Sequence, residues 1–532
     1  MARTIKIFGA LGTGKTETLT NTLINSLKRY KPEEILFVTY TRGGAFAIRE
    51  RLEQKGFDPK EFPYIGTMHS ICSRLIGLVK EQRMNDAERT KFITQFKYEY
   101  ESEKHKENDE GFLDAEKFVI SKKPFANACL GIIARCRNAG QPVKNWKAFI
   151  RDDDEEIPFT NDTLMAFYER YERYKQANDK MDYEDILERV IDNEVLPPEI
   201  KIAFFDEFQD FWMLLFEIYK MWRAYSDMET IYIAGDPNQT IYRYAGADPM
   251  MFINEVADET RILDVNFRCK ENIWEFAKDV IGSASLYDIK RITAKNQGGS
   301  ITRITLEKLY PILTERNNLG VPSLMLTRTN RQANRIYKDM LDRGVPVKFT
   351  TIEGKINESF RNASNFIIKL NAGNFTETKW KYIEVGSFLK RVKVAKSMLK
   401  RGIKAKADHH VLKETDWDYI DVLQMFELNH PSEPMLLAKL CDFDDYQLEF
   451  FSRYLDAKRT IPKPIIEIGT MHSGKGRTIP SVFFLNEMPY MVRENWTDSM
   501  EQDERRLCYM ACGRAINELV IVDHPSFRYP FL

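Results

Sequence analysis

Short apolar runs recur along the chain and predict the strands of buried sheets. They lead into glycine, threonine or acidic residues, and helix-like stretches separate them. Runs of this kind indicate parallel sheets that are covered on both faces. The pattern therefore predicts an α/β fold. The runs are Ile35–Phe37, Ile202–Phe205, Ile231–Ala234, Leu324–Leu326, Val482–Leu485 and Leu519–Val522.

Two longer stretches lack this rhythm. Both are rich in charged and aromatic residues at helical spacing, and the second contains none of the chemical motifs described below. We interpret them as mainly helical insertions in two sheet-based cores. The predicted bounds are 1–78 and 180–258 for the first core, 79–179 for its insertion, 259–352 and 462–532 for the second core, and 353–461 for its insertion.

A short motif occurs twice and supports a duplicated core. The pentapeptide Gly66–Ser70 (GTMHS) returns as Gly469–Ser473, and Thr41-Arg42 before a helix-like stretch is loosely matched by Thr327-Arg328. Either match alone could be a coincidence. Together they fit two related folds, each of which brings a loop with threonine and histidine to the same ligand.

Length, charge and cysteine content narrow the class of protein. A chain of 532 residues is too long for one hydrophobic core. Its 78 Lys and Arg nearly cancel its 79 Asp and Glu, so a nucleic acid would have to be held by a local groove. The strand-like start Ile5–Phe8 is unlike a signal peptide, and no apolar run approaches the roughly 18 residues of a membrane span. We expect a protein of the cytoplasm, or of the host-cell cytoplasm if it is viral, with its seven cysteines as reduced, mostly core thiols.

The segment Gly9–Thr16 has the pattern G-x-x-x-x-G-K-[ST] and lies between a predicted strand and a predicted helix. Its glycines allow the loop N–H groups to turn inward around a phosphate, and the helix N-terminus adds its positive dipole end. Lys15 would hold the β- and γ-phosphates, and the Thr16 hydroxyl would ligate Mg²⁺. The alternative is a glycine-rich turn that binds nothing.

Polar residues follow two further predicted strands. Ile202–Phe205 leads to Asp206 and Glu207 at its carboxyl end, where open parallel sheets bind ligands. Asp206 suits Mg²⁺, directly or through water, and Glu207 can orient and deprotonate an attacking water. After the next strand, Gln239 is a neutral amide that could sense a γ-phosphate without neutralising Glu207. The alternative for the acidic pair is a helix N-cap.

In this order the segments resemble the motifs of UvrD/Rep/PcrA-like superfamily 1 helicases, and they span almost the whole chain. The resemblance implies two RecA-like parallel-sheet P-loop domains, each with a mainly helical insertion, in a compact member of the family. The matching segments are Gly9–Thr16 (motif I), Val38–Arg42 (Ia), Gly66–Ser70 (Ib), Asp206–Asp210 (II), Gly235–Ala247 (III), Asn266–Arg268 (IV), Thr470–Pro480 (V) and Glu504–Ala515 (VI).

The resemblance implies ATP and Mg²⁺ as cofactors. Arg268 and Arg514 would come from the second core and neutralise charge that develops on the γ-phosphate. Phe267 would stack on adenine. The alternatives are surface ion pairs for the arginines and a core position for Phe267. The implied nucleotide contacts are Gly9, Gly12, Thr13, Gly14, Lys15, Thr16, Glu17, Phe267, Arg268, Gly476 and Arg514.

The resemblance also implies contacts with single-stranded DNA and single-strand/duplex junctions. Tyrosines would stack on unpaired bases, an interaction of about 1–3 kcal/mol per base, and threonine and histidine would meet the phosphate backbone. Each tyrosine could instead be part of the core. The implied DNA contacts are Tyr40, Thr41, Thr67, His69, Tyr242, Tyr244, Thr470, His472 and Lys475.

Three departures from the family pattern bear on these expectations. The P-loop begins at Gly9, which leaves no room for the upstream glutamine segment that reads adenine in the family. Thr478 stands where motif V usually has a glutamate, which weakens the expected ribose contact. Ala245 stands where motif III commonly has an arginine, so one coupling contact is expected to be lost.

A basic stretch in the second insertion has two interpretations. No acidic residue lies between Val385 and Ala407. The basic residues could contact duplex phosphates ahead of a fork, or they could form a solvated helix face. They are Lys390, Arg391, Lys393, Lys396, Lys400, Arg401, Lys404 and Lys406.

The expected function is ATP-driven translocation on single-stranded DNA, coupled to duplex unwinding. Family resemblance implies 3′-to-5′ movement. One alternative is a translocase that displaces proteins, or drives a larger complex, without unwinding alone. Another is a DNA-binding module that ATP switches but that hydrolyses too slowly to move.

Overall fold

The computed structural model describes residues 2–99, 124–150, 157–224, 227–243, 246–350, 357–371, 379–392, 434–494 and 496–532. The fold is α/β with parallel sheets, which confirms the predicted class. The chain divides into two compact units, which are described separately. The first unit comprises Met1–Thr302, Met471–Ile521 and Pro525–Leu532, and the second comprises Arg303–Thr470 and Val522–His524. The domain bounds given above stay a prediction.

A six-stranded sheet forms the centre of the first unit. Its strand order is β3-β2-β4-β5-β1-β6, and all neighbouring strands are parallel. The carboxyl ends of the strands therefore meet at one edge, where parallel sheets bind ligands. The strands are β1 Arg3–Gly9, β2 Ile35–Thr39, β3 Ile65–Thr67, β4 Ile202–Phe205, β5 Thr230–Gly235 and β6 Glu259–Leu263.

The apolar runs form strands because side chains on both faces of this sheet are buried. In β2, Leu36 and Val38 pack into one apolar cluster, and Ile35 and Phe37 pack into the other. Successive side chains of a strand point to opposite faces. Continuous apolar sequence is therefore what a sheet covered on both sides requires, and the strand prediction for this run is confirmed.

Helices of the first unit cover the sheet and extend into the first insertion. Some of them begin at polar residues that cap their free N–H groups: the Thr41 hydroxyl accepts from Gly44 N at 3.0 Å, and the Thr67 hydroxyl accepts from Ser70 N at 3.3 Å. The helices are α1 Lys15–Ser26, α2 Arg42–Gln54, α3 Met68–Leu75, α4 Asp86–Phe96, α5 Phe125–Asn138, α6 Asn161–Ala177, α7 Tyr183–Asp192, α8 Met213–Arg223, α9 Pro249–Asn254, α10 Glu271–Ile281, α17 Tyr490–Glu494 and α18 Asp498–Cys512.

Helices and strands of the second unit follow the same alternation. Strands β11, β12 and β10 are parallel neighbours in that order. The elements are strands β10 Ser323–Thr327, β11 Val347–Phe349 and β12 Ile466–Thr470, and helices α11 Leu306–Leu319, α12 Asn330–Asp342, α13 Glu358–Asn371, α14 Tyr382–Arg391, α15 Pro434–Leu440 and α16 Asp445–Asp456. The remaining strands of the described chain are β7 Val265–Asn266, β8 Thr293–Ala294, β9 Ser300–Thr305, β13 Ile479–Asn486 and β14 Ala515–Asp523.

Of the basic stretch, the structure describes only its first two members. Lys390 and Arg391 close helix α14, and Arg391 lies 3.4 Å from Asp442 in an ion pair. The remaining members, from Lys393 to Lys406, lie outside the described residues. The duplex-binding interpretation therefore stays a prediction.

The first insertion is helical where it is described, and it has an apolar cluster of its own. Rings from α4 and α6 form its centre, with Phe92 at 5.5 Å from Phe167 and 5.3 Å from Tyr171.

All seven cysteines of the chain are buried free thiols, as predicted. Among the described helices, none is both long and apolar enough to span a bilayer.

A buried ion-pair network, defined by Arg137, Lys175, Asp182 and Asp185, joins α5 and α6 to α7. Arg137 lies 3.2 Å from Asp182 and 2.7 Å from Asp185, and Lys175 lies 2.8 and 2.7 Å from the same two carboxylates. Burial raises the pKa of Asp182, but Arg137 and Lys175 together hold that pKa well below its usual range. Charges buried this deeply are stable only when each has a partner. The network therefore fixes the insertion helices to α7.

Lys175→Met should remove one cation from this network and leave excess negative charge in a buried place. We expect the free energy of unfolding to fall by about 3–5 kcal/mol at neutral pH, the range for breaking a buried ion pair. The loss should shrink towards pH 4, because the carboxylates of the variant, whose pKa values rise when the cation is lost, then take up protons. Urea unfolding at several pH values measures this.

Arg173→Met is the matched control for this change. Arg173 is two residues away on the same helix, is 77% exposed and pairs only with Glu169 at 3.4 Å among the described ion pairs. Its loss should cost less than about 1 kcal/mol. Equal losses for the two variants would contradict a special role for the network.

Candidate functional site

The loop between β1 and α1 has the conformation that its glycines allow. Gly12 and Gly14 have φ of +70° and +82°, in the left-handed region that glycine adopts without strain. Helix α1 begins directly afterwards at Lys15, whose Nζ donates to the Gly9 carbonyl at 2.7 Å. The Thr13 hydroxyl donates to the Ala10 carbonyl at 2.9 Å. The loop N–H groups and the helix N-terminus thus form the kind of cradle that binds phosphate.

The segment Asn266–Arg268 packs directly on this loop. Phe267 N donates to the Gly12 carbonyl at 2.9 Å. A Cβ atom at Gly12 would lie only 2.6 Å from Arg268 Cβ and 2.6 Å from Asn266 Oδ1. Glycine is therefore required at this position for two reasons, its positive φ and this close approach. The contact brings Arg268 to the P-loop.

The acidic pair lies at the carboxyl end of β4, facing the start of α1. The Thr16 hydroxyl donates to Asp206 Oδ2 at 2.5 Å. Burial and the neighbouring Glu207 charge raise the pKa of Asp206 to about 6. Burial also raises the pKa of Glu207, but Lys475 and Lys15 outweigh it and bring that pKa to about 2. Glu207 is therefore an anion at neutral pH.

Thr16 and Asp206 fit a magnesium ion. A hydroxyl and a carboxylate are hard oxygen donors, which Mg²⁺ prefers, and the ion usually takes one or two carboxylates together with substrate phosphates. The two oxygen atoms face each other at hydrogen-bond distance beside the phosphate cradle. These residues would hold the ion that sequence analysis assigned to them.

Two arginines, the buried Arg514 and the half-buried Arg268, lie on the same site. Arg514 Nη2 donates to Gln239 Oε1 at 3.0 Å, and Arg268 Nη1 donates to the Gly513 carbonyl at 3.3 Å. Burial and, to a smaller extent, the nearby Arg268 charge lower the pKa of Arg514 to about 9. Burial also lowers the pKa of Arg268. An anion between the two guanidinium groups would relieve this repulsion, which suits a terminal phosphate.

Gln209 orients Glu207, and sequence analysis gave it no role. Its Nε2 donates to Glu207 Oε2 at 2.6 Å, and its Oε1 accepts from Asp236 N at 2.9 Å. The side chain is completely buried. Its position in the segment DEFQD was the one available signal, because that segment carries the acidic pair.

The remaining nucleotide-site residues are less enclosed. Phe267 is 54% exposed, with Lys295 Nζ 5.1 Å from its ring centroid, so one aromatic surface is accessible for stacking. Glu17 forms an ion pair with Arg51 at 3.2 Å. Gly476 has φ of +83°, which favours glycine. Their roles in nucleotide binding stay predictions.

An aromatic cluster, defined by Tyr40, Tyr242, Trp212 and His69, lies among the residues predicted to contact DNA. Tyr40 is 5.2 Å from Tyr242 and 6.0 Å from Trp212 between ring centroids, and His69 is 5.9 Å from Trp212. Burial lowers the pKa of His69 to about 3, with a smaller effect of Arg42, so the imidazole is neutral at physiological pH. The sequence gives no signal for Trp212, because its apolar surroundings resemble those of any core tryptophan.

The threonines and the repeated motif lie at the ends of helices and strands. The hydroxyls of Thr41 and Thr67 cap helices α2 and α3. His472 begins a 3₁₀ turn, His472–Gly474, of the first unit, whereas Thr470 ends strand β12 of the second unit. Tyr244 lies outside the described residues. The phosphate contacts of these residues stay predictions.

Lys475 contacts the acidic segment. Its Nζ donates to Asp210 and, at 3.3 Å, to the Gln239 carbonyl. It also lies 3.9 Å from Glu207 Oε2 and 4.9 Å from the centroid of Tyr242. Sequence analysis assigned Lys475 to the DNA contacts alone. In the structure it joins the acidic pair to a tyrosine of the aromatic cluster.

Comparison with known proteins matches part of this chain to a helicase family. Residues 1–259 match the UvrD/REP helicase N-terminal domain family. A probable DNA helicase II homolog from Mycoplasma pneumoniae is 27% identical over 52% of this chain and 40% of its own length. Another probable DNA helicase II homolog, from Mycoplasma capricolum, is 25% identical over 56% of this chain and 41% of its own length. The ATP-dependent DNA helicase PcrA of Staphylococcus aureus is 22% identical over 99% of this chain and 82% of its own length. The matches thus span about two fifths of the Mycoplasma relatives.

Gly12→Ala should disrupt the P-loop. The added Cβ would collide with Arg268 and Asn266 and would hold an unfavourable φ. We expect ATP affinity to fall about tenfold or more, equivalent to at least about 1.4 kcal/mol, as measured by calorimetry.

Gly56→Ala separates backbone strain from the collision. Gly56 has φ of +88°, but a Cβ there would meet nothing within 4 Å. This variant should lose about 1–2 kcal/mol of stability from strain and keep its ATP affinity. If both variants bind ATP like the parent, the close approach at Gly12 does not shape the site.

Proposed function

We propose that this chain, whose residues 1–259 match the UvrD/REP helicase N-terminal domain family, is an ATP-dependent DNA helicase of that family. It would translocate on single-stranded DNA in the 3′-to-5′ direction and separate duplexes at single-strand/duplex junctions. The observation that carries this proposal is the convergence of three features: the P-loop at Lys15, the acidic pair, and the guanidinium groups of Arg268 and Arg514. A static phosphate site has no need of all three.

The proposed chemistry is phosphoryl transfer from ATP to water. Mg²⁺, held by Thr16 and Asp206, would neutralise charge on the phosphates. Lys15 would leave the Gly9 carbonyl and bind the β- and γ-phosphates. Glu207, which Gln209 orients, would position the attacking water and receive its proton. The main requirement of such a reaction is in-line positioning and charge stabilisation rather than covalent chemistry.

Arg268 and Arg514 would stabilise the charge that develops on the γ-phosphate. Arg514 is buried and Arg268 is half-buried, and electrostatic interactions are stronger in such places than in water. Gln239 accepts a hydrogen bond from Arg514. A movement of Arg514 towards the γ-phosphate would therefore also move the segment that leads from Gln239 to Tyr242. This segment connects the nucleotide to the aromatic cluster.

The proposed DNA track includes the aromatic cluster. Stacking on Tyr40 and Tyr242 would hold bases without reading their sequence, because every base has a π-face. The motif resemblance implies the 3′-to-5′ direction, and the repeated pentapeptide supports the pairing of the two threonine- and histidine-bearing loops with one strand. Hydrolysis would alternate the grip of the two predicted cores on that strand.

Lys15→Ala and Glu207→Gln test the hydrolysis. Each should lower DNA-stimulated ATP hydrolysis by a factor of about 10² or more, the usual effect of losing a catalytic acid–base or positioning group. Single-stranded DNA binding should persist in both variants. A coupled phosphate-release assay with and without single-stranded DNA measures turnover.

Lys28→Ala and Glu199→Gln are the matched controls. Both residues are exposed and lie just outside α1 and β4, close in sequence to the tested residues. They should hydrolyse ATP at the parental rate. Parental turnover in Lys15→Ala or Glu207→Gln would refute the proposed roles.

Tailed duplexes test direction and unwinding. We expect strand separation of a duplex with a 3′ single-stranded DNA tail and none with a 5′ tail or an RNA tracking strand, measured by fluorescence of the released strand. Unwinding from the 5′ tail would reverse the direction. DNA-stimulated hydrolysis without strand separation would favour the protein-displacing translocase, and tight ATP-dependent DNA binding without turnover would favour the switched binding module.

A further inference from the structure

The Asp236 carboxylate is a buried hydrogen-bond centre behind the arginines. Its Oδ2 accepts from Gln239 Nε2 at 2.7 Å, and its Oδ1 accepts from Asn238 N at 3.1 Å and from the Tyr287 hydroxyl at 3.2 Å. Its backbone N–H donates to Gln209, the residue that orients Glu207. One residue therefore connects the supports of the proposed base and the proposed phosphate sensor.

Tyr287 reaches this centre from a segment outside all the motifs. The segment Ser285–Tyr287 follows helix α10 and is tied to Asn238 twice. Asn238 Nδ2 donates to the Ser285 hydroxyl at 2.8 Å, and Leu286 N donates to Asn238 Oδ1 at 2.7 Å. The Tyr287 ring also packs against Phe8 of β1, with centroids 5.3 Å apart. The hydroxyl is therefore held in place from three sides.

The direction of each hydrogen bond defines the orientation of the Gln239 amide. Asp236 accepts, so it selects the NH₂ group of Gln239, and the carbonyl oxygen then faces Arg514 at 3.0 Å. If the amide were flipped, its NH₂ group would face the guanidinium, which has only donors, and its oxygen would face the carboxylate, which has only acceptors. Burial raises the pKa of Tyr287 well above 10, so its hydroxyl keeps its proton and remains a donor to Asp236.

We propose that Tyr287 is a positioning residue for ATP hydrolysis, which fixes the Asp236 carboxylate and, through it, the orientation of Gln239 towards Arg514. The inference rests on the proposed ATPase function and adds to it a residue that lies outside the matched segments. Without the hydroxyl, one oxygen of the carboxylate loses a donor, and rotation of the carboxylate becomes easier. Gln239 and Arg514 would then spend less time in the arrangement that serves the γ-phosphate.

Tyr287→Phe is the test, because it removes the hydroxyl and keeps the ring against Phe8. We expect kcat for DNA-stimulated ATP hydrolysis to fall roughly three- to tenfold, the range for losing one positioning hydrogen bond between buried groups. KM for ATP and Kd for single-stranded DNA should stay within about twofold of the parent. Ser285→Ala, which loosens the same segment, should change kcat in the same direction.

Tyr219→Phe is the matched control. The Tyr219 hydroxyl is also buried and donates to a carboxylate, Glu255 Oε1 at 3.1 Å, on helix α8. It should cost as much thermal stability as Tyr287→Phe and leave kcat unchanged. If kcat falls equally in Tyr287→Phe and Tyr219→Phe, the cause is a general loosening of the structure, and the inference is overturned.

A double-variant cycle gives the second criterion. In a Gln239→Ala background, Tyr287→Phe should cause no further loss of kcat, because the two residues act through one arrangement. Independent, additive losses would overturn the inference, and so would parental kcat in Tyr287→Phe. A parental protein without DNA-stimulated hydrolysis would instead refute the proposed function itself, so the two failures are distinguishable.

Discussion

The placement of two like charges at one site, one buried and one half-buried, is the constraint on which the candidate site depends. Arg514 is buried and Arg268 is half-buried, and the Arg268 charge adds to burial in lowering the pKa of Arg514. In a low-dielectric interior such a pair is unfavourable unless negative charge balances it. Glu207 supplies part of that charge, and a bound triphosphate would supply the rest. The site is therefore least stable electrostatically without an anion and gains most when the anion carries several charges.

Neutral groups orient these charges without adding further charge. Gln209 holds Glu207, and Gln239 accepts from Arg514, while both amides end on Asp236. An amide donates at one end and accepts at the other, so it passes a fixed orientation from one charged group to the next. The base and the arginine are thus positioned relative to each other by a chain of buried hydrogen bonds. Such a chain is rigid only if all its members are satisfied.

Local sequence predicted the elements, but it could not predict most partners. Strands β2, β4 and β5 and the P-loop follow from apolar runs and glycine spacing, because these signals lie within a few residues. The pairing of Lys475 with Asp210 joins residues 265 positions apart, and the bond of Tyr287 to Asp236 joins residues 51 apart. Periodicity carries no information about such contacts. Trp212 was missed for a related reason: a buried tryptophan has the same sequence context whether it packs a core or borders a binding track.

The charge balance of the chain makes aromatic stacking important for the proposed DNA track. A net charge of −1 gives no general attraction for a polyanion, so electrostatic attraction must come from a few local cations. The neutral His69 adds no positive charge, and Lys475 is already shared with Asp210 and Glu207. In the proposed track, stacking on Tyr40 and Tyr242 would use the π-face of a base rather than its phosphate, so it would need no additional cation. Because stacking is also insensitive to sequence, a track built in this way holds any base with similar strength, which is what movement along a strand requires.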